Sequence, residues 1–360
     1  MTLRKKLAFL AVIYGFVILL LVGWELALRM SRSATTTRLR FAWSGDVLGE
    51  FVPNQRLQDT RKPRLKWTVS INEDGYRGRR VGVPKPAGVY RILLLGDSLI
   101  ESQYVSDGLT FGEQLEADVR RRFGNGVEVV AVGRAGYTIT DEAAYFREKG
   151  YRFEPDLVIL VSPLNDVSDL SRRIQYRELL KQLSGYEQRH SFLQRLVAPL
   201  RNTAIYNLLY RKWVYFAYRT SLPVGAIDPR PLHEEVSFTE ARAREWSPKY
   251  QEYFQRYCAL LGAFHSEVEA SGRRFLYAVF PDVEQMDPAD PQTMQRHLEA
   301  CADKHGIPLI DLLPALRAAS RDRKLFLTPY DRHPNGAAYA VASETIGAEL
   351  SRLGWIPARS

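Results

Sequence analysis

The chain has 360 residues, 46% of them apolar and 25% charged, which excludes global disorder, a collagen-like fibre and a disulfide scaffold. The formal charge is +9, but it is concentrated. Residues 1–40 hold seven Lys/Arg and one acid, residues 171–219 hold ten and two, and the remainder is mildly acidic. That distribution does not describe a nucleic-acid-binding face, and two cysteines cannot build a cysteine-based zinc site.

In chain order, Arg4, Lys5 and Lys6 precede an uncharged run from Leu7 to Trp24. Eighteen apolar or small residues are about the minimum for a spanning helix. No A-x-A-like cleavage pattern lies between Trp24 and Ser33, which favours an uncleaved single-pass anchor over a signal peptide. Basic residues ahead of the run predict a cytoplasmic N-terminus and an extracytoplasmic body, periplasmic in a Gram-negative cell. Residues 1–30 are therefore read as basic leader and transmembrane helix. Residues 31–88 are read as linker and accessory β-rich segment, with Lys66–Ile71 as a strand and Val83–Gly88 as a stiff connector.

From residue 89 the pattern becomes short apolar runs alternating with amphipathic helices. Strands are expected at Arg91–Leu95, Val127–Val132, Leu157–Val161, Phe275–Phe280 and Leu309–Asp311. Helices are expected at Phe111–Phe123, Asp141–Lys149, Lys249–Ala270, Thr293–His305 and Ala337–Leu353. Five buried strands with helical crossovers imply a parallel sheet covered on both faces. Residues 167–246 lack a central strand and read as a helical insertion.

Candidate chemistry sits at the strand ends, where open parallel sheets carry their sites. The first strand runs into Gly96-Asp97-Ser98-Leu99; read alone, that is a helix cap. The second ends in Gly133-Arg134-Ala135-Gly136-Tyr137-Thr138 and the third in Pro163-Leu164-Asn165-Asp166. Asn165 either caps the next helix or aims its amide at developing negative charge. The last block, Asp331-Arg332-His333-Pro334-Asn335, opens the final helix. The other five histidines, His190, His233, His265, His297 and His305, read as surface residues. A serine hydroxyl needs a base to become a nucleophile. His333 is the candidate base, with Asp331 to orient its imidazole. Ser98 and Gly136 N–H groups and the Asn165 amide make a candidate oxyanion hole. No G-x-S-x-G elbow, H-E-x-x-H or Walker A motif competes.

These four blocks, in this order, resemble the SGNH hydrolase (GDSL esterase) superfamily. The resemblance covers residues 89–166 and 273–353. It implies a flavodoxin-like parallel five-stranded sheet and an α/β fold. It implies Ser98 as nucleophile, Gly136 and Asn165 as oxyanion donors and His333 as base, with neither metal nor cofactor. Two positions depart from the family pattern: Pro163 stands where a glycine is usual, and Asp331 lies two rather than three residues before His333. A backbone carbonyl is the alternative acceptor for the imidazole. The anchor, the Asp-x-His spacing and the Asn72-x-x-Gly75-Tyr76-Arg77-Gly78 block are similar to membrane-attached bacterial members acting on surface polysaccharides. The implied activity is an esterase or deacetylase on an O-acylated substrate, an extracytoplasmic glycan. An O-acyltransferase and a non-catalytic glycan-binding or assembly protein are the alternatives.

Residues 171–219 crowd Tyr206, Tyr210, Trp213, Tyr215, Phe216 and Tyr218 among basic residues, a pattern that fits a packed helical subdomain or a lid at an interface. Cys258 and Cys301 fall on helices flanking one strand; they are either a disulfide outside the cytoplasm or two buried thiols.

Overall fold

A computed structural model describes residues 3–34, 41–44, 47–51, 53–62, 65–174 and 236–357. The chain divides into two units. One contains residues 1–36 and 174–234, of which little besides the helix α1 (Leu3–Ala34) is described. Large apolar side chains along α1, such as Val12, Phe16, Leu19 and Leu20, are exposed. The continuous run of described side chains in α1 covers residues 12–27. Among the described residues no helix is long and apolar enough to cross a membrane. The aromatic segment 206–218 and His190 and His233 lie outside the described residues, as does most of the expected insertion.

The second unit holds residues 37–173 and 235–360. Its centre is an all-parallel sheet of β5 (Tyr90–Gly96), β6 (Val127–Gly133), β7 (Leu157–Ser162), β8 (Arg274–Val279) and β9 (Leu309–Asp311). The order is β6-β5-β7-β8-β9, the flavodoxin-like arrangement expected. Continuous burial along β5, β6 and β7 follows from coverage on both faces. Ile92 and Leu94 pack with Phe111, Leu115, Tyr339 and Ile346, from helices Phe111–Phe123 and Gly336–Leu353. On the opposite face, Phe146 of Ile139–Glu148 meets Phe264 of Pro248–Ala270, which meets Phe275 of β8. Arg91 is fully buried at the foot of β5, where its register partner Glu128 on β6 receives its guanidinium at 2.6 Å.

His265 corrects the expectation of a surface residue. It is buried on the inner side of Pro248–Ala270 with its ring against Phe275. His297 is exposed yet stacked on Trp246 at 4.0 Å. Cys258 and Cys301 form a disulfide that joins Pro248–Ala270 to Thr293–His305.

The accessory segment is two antiparallel hairpins, β1 (Phe41–Ser44) with β2 (Val47–Phe51) and β3 (Gln55–Lys62) with β4 (Leu65–Ile71). Trp67, Val69 and Ile71 alternate inward on β4 and form a small core with Phe51. Arg77 fastens this segment to the sheet. Its backbone bridges both Ile71 and Ala131 of β6. Its buried guanidinium donates to the carbonyls of Glu101, Ser102 and Val105 at 2.9–3.0 Å and to Asp107 at 2.8 Å. Asn72 shapes the turn before it, accepting from the N–H groups of Asp74 and Tyr76 and donating to the Gly78 carbonyl.

Replacing Arg77 by Met strands those buried carbonyls without donors, so Arg77→Met should cost about 3 kcal/mol or more. Urea unfolding measures it; a change below about 1 kcal/mol would show that the clamp is dispensable.

Candidate active site

The carboxyl end of β5 builds the site. Gly96 is required by close approach: a Cβ there would lie 2.7 Å from the Val161 carbonyl and 2.7 Å from the Ile100 side chain. The chain turns at once into a short helix, Ser98–Glu101, capped by Asp97, whose Oδ1 accepts the Leu99 N–H at 2.9 Å. Asp97 is thus the cap that its residue type suggests, and Ser98 is left at the helix start, half-buried.

Ser98 Oγ lies 3.0 Å from His333 Nε2. His333 Nδ1 lies 2.5 Å from Asp331 Oδ1, which also accepts the backbone N–H of His333 at 2.9 Å. A carboxylate can only accept, so Nδ1 carries the proton and Nε2 is left to take one from Ser98. The acceptor of the imidazole is therefore Asp331 despite its short spacing, because the residue folds back over its own turn. Asn335 caps Gly336–Leu353, accepting from the N–H groups of Ala337 and Ala338, and this fixes the exit of the loop. Arg332 pairs with Asp282 at 2.8 Å and with Glu284, fixing its outer side.

Gly136 has φ +84, a conformation that a Cβ would strain. Thr138, at the start of Ile139–Glu148, donates both its N–H and its hydroxyl to Asp141 Oδ2, each at 3.1 Å. The loop is held from beneath by buried Glu101, whose Oε2 accepts the Ala135 N–H at 2.7 Å. Asn165 stands before a helical stretch at 166–174. Its side chain makes no capping bond; Nδ2 donates to Asp169 Oδ2 at 2.5 Å. Ser98, Gly136, Asn165 and His333 line one cavity of about 470 Å³, together with the apolar side chains of Leu164, Phe238 and Phe326.

Several participants carry no sequence signal by themselves. Tyr104, whose own φ is +63, sets its ring 5.7 Å from that of His333 and 5.6 Å from that of Trp67. The accessory hairpin core thereby reaches the imidazole. Phe238 lies 5.5 Å below the Arg332 guanidinium. Asp169 was legible only as a carboxylate four residues after Asn165, one helical turn on.

Acidic groups cluster below the nucleophile. Burial pushes the Asp97 carboxyl up to about 6; nearby Asp169 pushes the same way, while the Leu99 N–H, His333 and Ser98 oppose it. Burial likewise pushes Glu142 and Asp166 well above the usual carboxylate range; repulsion from Asp166 and Asp97 adds to it at Glu142, and repulsion from Asp97 and Asp169 adds to it at Asp166. Neither oxygen of Glu142 has a hydrogen-bond partner among the described residues. Asp166 accepts from Tyr257, which also meets Ser162 and Tyr277.

With this geometry in view, the sequence profile of the GDSL-like lipase/acylhydrolase family matches residues 94–341. The chain belongs to that family, within the SGNH superfamily, and is an ester hydrolase of its type. No curated protein gives a significant match. Among solved structures it is similar to an α/β hydrolase from the metagenome of Lake Arreo, Spain, at 16% identity and TM-score 0.41, over 74% of this chain and 96% of that one. It is similar to a lipase/acylhydrolase from Enterococcus faecalis at 14% identity and TM-score 0.42, over 76% and 100%. It is also similar to a catalytic mutant of an acetylxylan esterase from Geobacillus stearothermophilus at 15% identity and TM-score 0.42, over 75% and 97%.

The buried acids give a pH prediction. The folded chain holds the Asp97 proton more tightly than the unfolded chain, so its contribution to stability is full below about pH 4 and lost as pH rises through about 6. The loss is on the order of 2–3 kcal/mol. Asp97→Asn should flatten this part of the stability–pH curve measured by denaturant unfolding at pH 4–8. An unchanged slope would show that Asp97 titrates alike in both states.

Proposed function

We propose that the protein is a serine esterase, a deacetylase that removes short acyl groups from an extracytoplasmic glycan through an acyl-Ser98 intermediate. The observation that carries the reading is the Ser98–His333–Asp331 relay. His333 Nε2 takes the Ser98 proton as Oγ attacks the ester carbonyl. Asp331 holds the tautomer and stabilises the imidazolium. The tetrahedral oxyanion is met by the N–H groups of Ser98 and Gly136 and by the Asn165 amide. His333 then protonates the leaving alcohol. Water, activated by the same imidazole, releases the acyl group and regenerates Ser98.

Ser98 Oγ also lies 3.1 Å from Asp97 Oδ2. One hydroxyl hydrogen serves two acceptors, and only the bond to His333 leads to attack.

A glycan fits the cleft's mixture of groups: an aromatic ring, Phe238, under a guanidinium, beside Gln103, Asp282 and Arg172 at the rim. Hydrolysis rather than transfer to a second sugar is favoured because Gly136, Arg172 and Arg332 are exposed around the cleft, which leaves water access. The location outside the cytoplasm rests on α1. The uncharged run Leu7–Trp24 falls inside one uninterrupted helix with basic residues before it, as a single-pass anchor with a cytoplasmic N-terminus requires.

The test is ester hydrolysis by the detergent-solubilised full chain on aryl esters of increasing acyl length and on acetylated polysaccharide. Acetyl substrates should turn over fastest, and Ser98→Ala should abolish turnover. Asn165→Ala should lower kcat about a hundredfold or more with little change in unfolding midpoint. Equal rates for wild type and Ser98→Ala would end the acyl-serine reading. For the anchor, the full chain should stay with membranes through carbonate extraction. A mature form beginning between residues 25 and 40 would show a cleaved signal.

A further inference from the structure

We propose that Asp169 is a positioning residue that orients the Asn165 amide toward the oxyanion; the proposal rests on the esterase reading above. Asn165 is the one oxyanion donor carried on a side chain, so it is the one whose direction the backbone does not set. Its main chain is fixed by the first turn of the following helix. The Asn165 carbonyl accepts the Asp169 N–H at 2.8 Å and the Ser168 hydroxyl at 2.8 Å. The side-chain amide, left to itself, rotates in a broad, roughly two-fold well.

Asp169 removes that freedom. It lies one turn along, on the same face as Asn165, and its Oδ2 takes one N–H of the amide at 2.5 Å. A carboxylate has no proton to give, so the flipped amide, with its oxygen against Asp169, is excluded. The nitrogen is fixed in place and its second N–H is unused by this bond. Asp169, Asn165 and Ser98 line the same cavity.

A carboxylate beside an oxyanion donor brings a charge of the wrong sign. Arg172 offsets it, donating to Asp169 Oδ1 at 2.9 Å from the opposite edge. Asp169 is thus bound on both oxygens, one by the cation that compensates it and one by the amide it aims. The spacing is Asn165, four residues to Asp169, three to Arg172, all on one helical stretch.

The test is a double-mutant cycle on the full chain: wild type, Asp169→Ala, Asn165→Ala and the double variant, with kcat and KM on the acetyl ester and unfolding midpoints for each. Asp169→Ala should lower kcat about tenfold to a hundredfold and leave KM within about twofold. In the Asn165→Ala background the same change should cost nothing further, because its effect passes through the amide. Asp169→Asn keeps an acceptor in place and should restore most of kcat. If the alanine variant does not fold, Asp169→Leu, similar in size and lacking an acceptor, takes its place in the cycle. Losses that multiply in the double variant would overturn the proposal, since they would mark a role independent of Asn165. A rise in kcat on removing Asp169 would overturn it too, by showing that Asp169 withholds the amide. A wild-type chain without Ser98-dependent turnover overturns the esterase reading itself, a distinct outcome.

Discussion

The 3.0 Å contact between Ser98 Oγ and His333 Nε2 joins residues 235 positions apart, and much of the fold is arranged around making it. It exists because β5 ends at Gly96, where the absence of a Cβ lets the chain turn against β7 and start a helix two residues on, at Ser98. It also needs the last loop to return across the same sheet edge. Asn335 fixes that loop from the helix side, and Arg332, through Asp282 and Glu284, fixes it from the β8 exit. A few ångströms of drift in either loop would separate base from nucleophile, because proton transfer requires hydrogen-bond reach.

The hairpins ahead of the sheet belong to the same mechanical unit. Arg77 holds the backbone just after the nucleophile helix by its carbonyls, and Trp67 reaches His333 through Tyr104. Ser102 and Tyr104 both have positive φ although neither is glycine. Strained residues of this kind persist where the surroundings over-determine them, and here the surroundings are the Arg77 clamp and the Trp67 ring. The hairpins are therefore part of what sets the imidazole plane.

Much of this was legible in the sequence, and the reasons differ by element. Strands β5, β6 and β7 are short apolar runs bounded by glycine, proline or charge, and both faces of each are buried, so their extents follow from composition. Helix Phe111–Phe123 follows from its period and from Thr110, whose capping box with Glu113 marks its start. The first two strand-end blocks were legible because each carries a residue type that its backbone needs: Gly96 for close approach, Asp97 for a cap and Gly136 for positive φ. Contacts between distant elements were not legible. Nothing local marks Arg77 as a clamp, Tyr104 as a buttress or His265 as a core residue, since each depends on which element packs beside it. Helix Leu313–Ser320 was missed because it is short and alanine-rich, with little period to read. The Cys258–Cys301 pairing needed the two helices to be laid side by side before 43 residues of separation meant anything.

The central claim is that His333 activates Ser98. Covalent labelling tests it most directly, because a fluorophosphonate reacts with an activated serine and needs no knowledge of the substrate. Mass spectrometry of the labelled full chain should find one phosphonyl group, on Ser98, and His333→Ala should abolish it. A wild-type chain that stays unlabelled at Ser98, or one labelled equally after His333→Ala, would contradict the account.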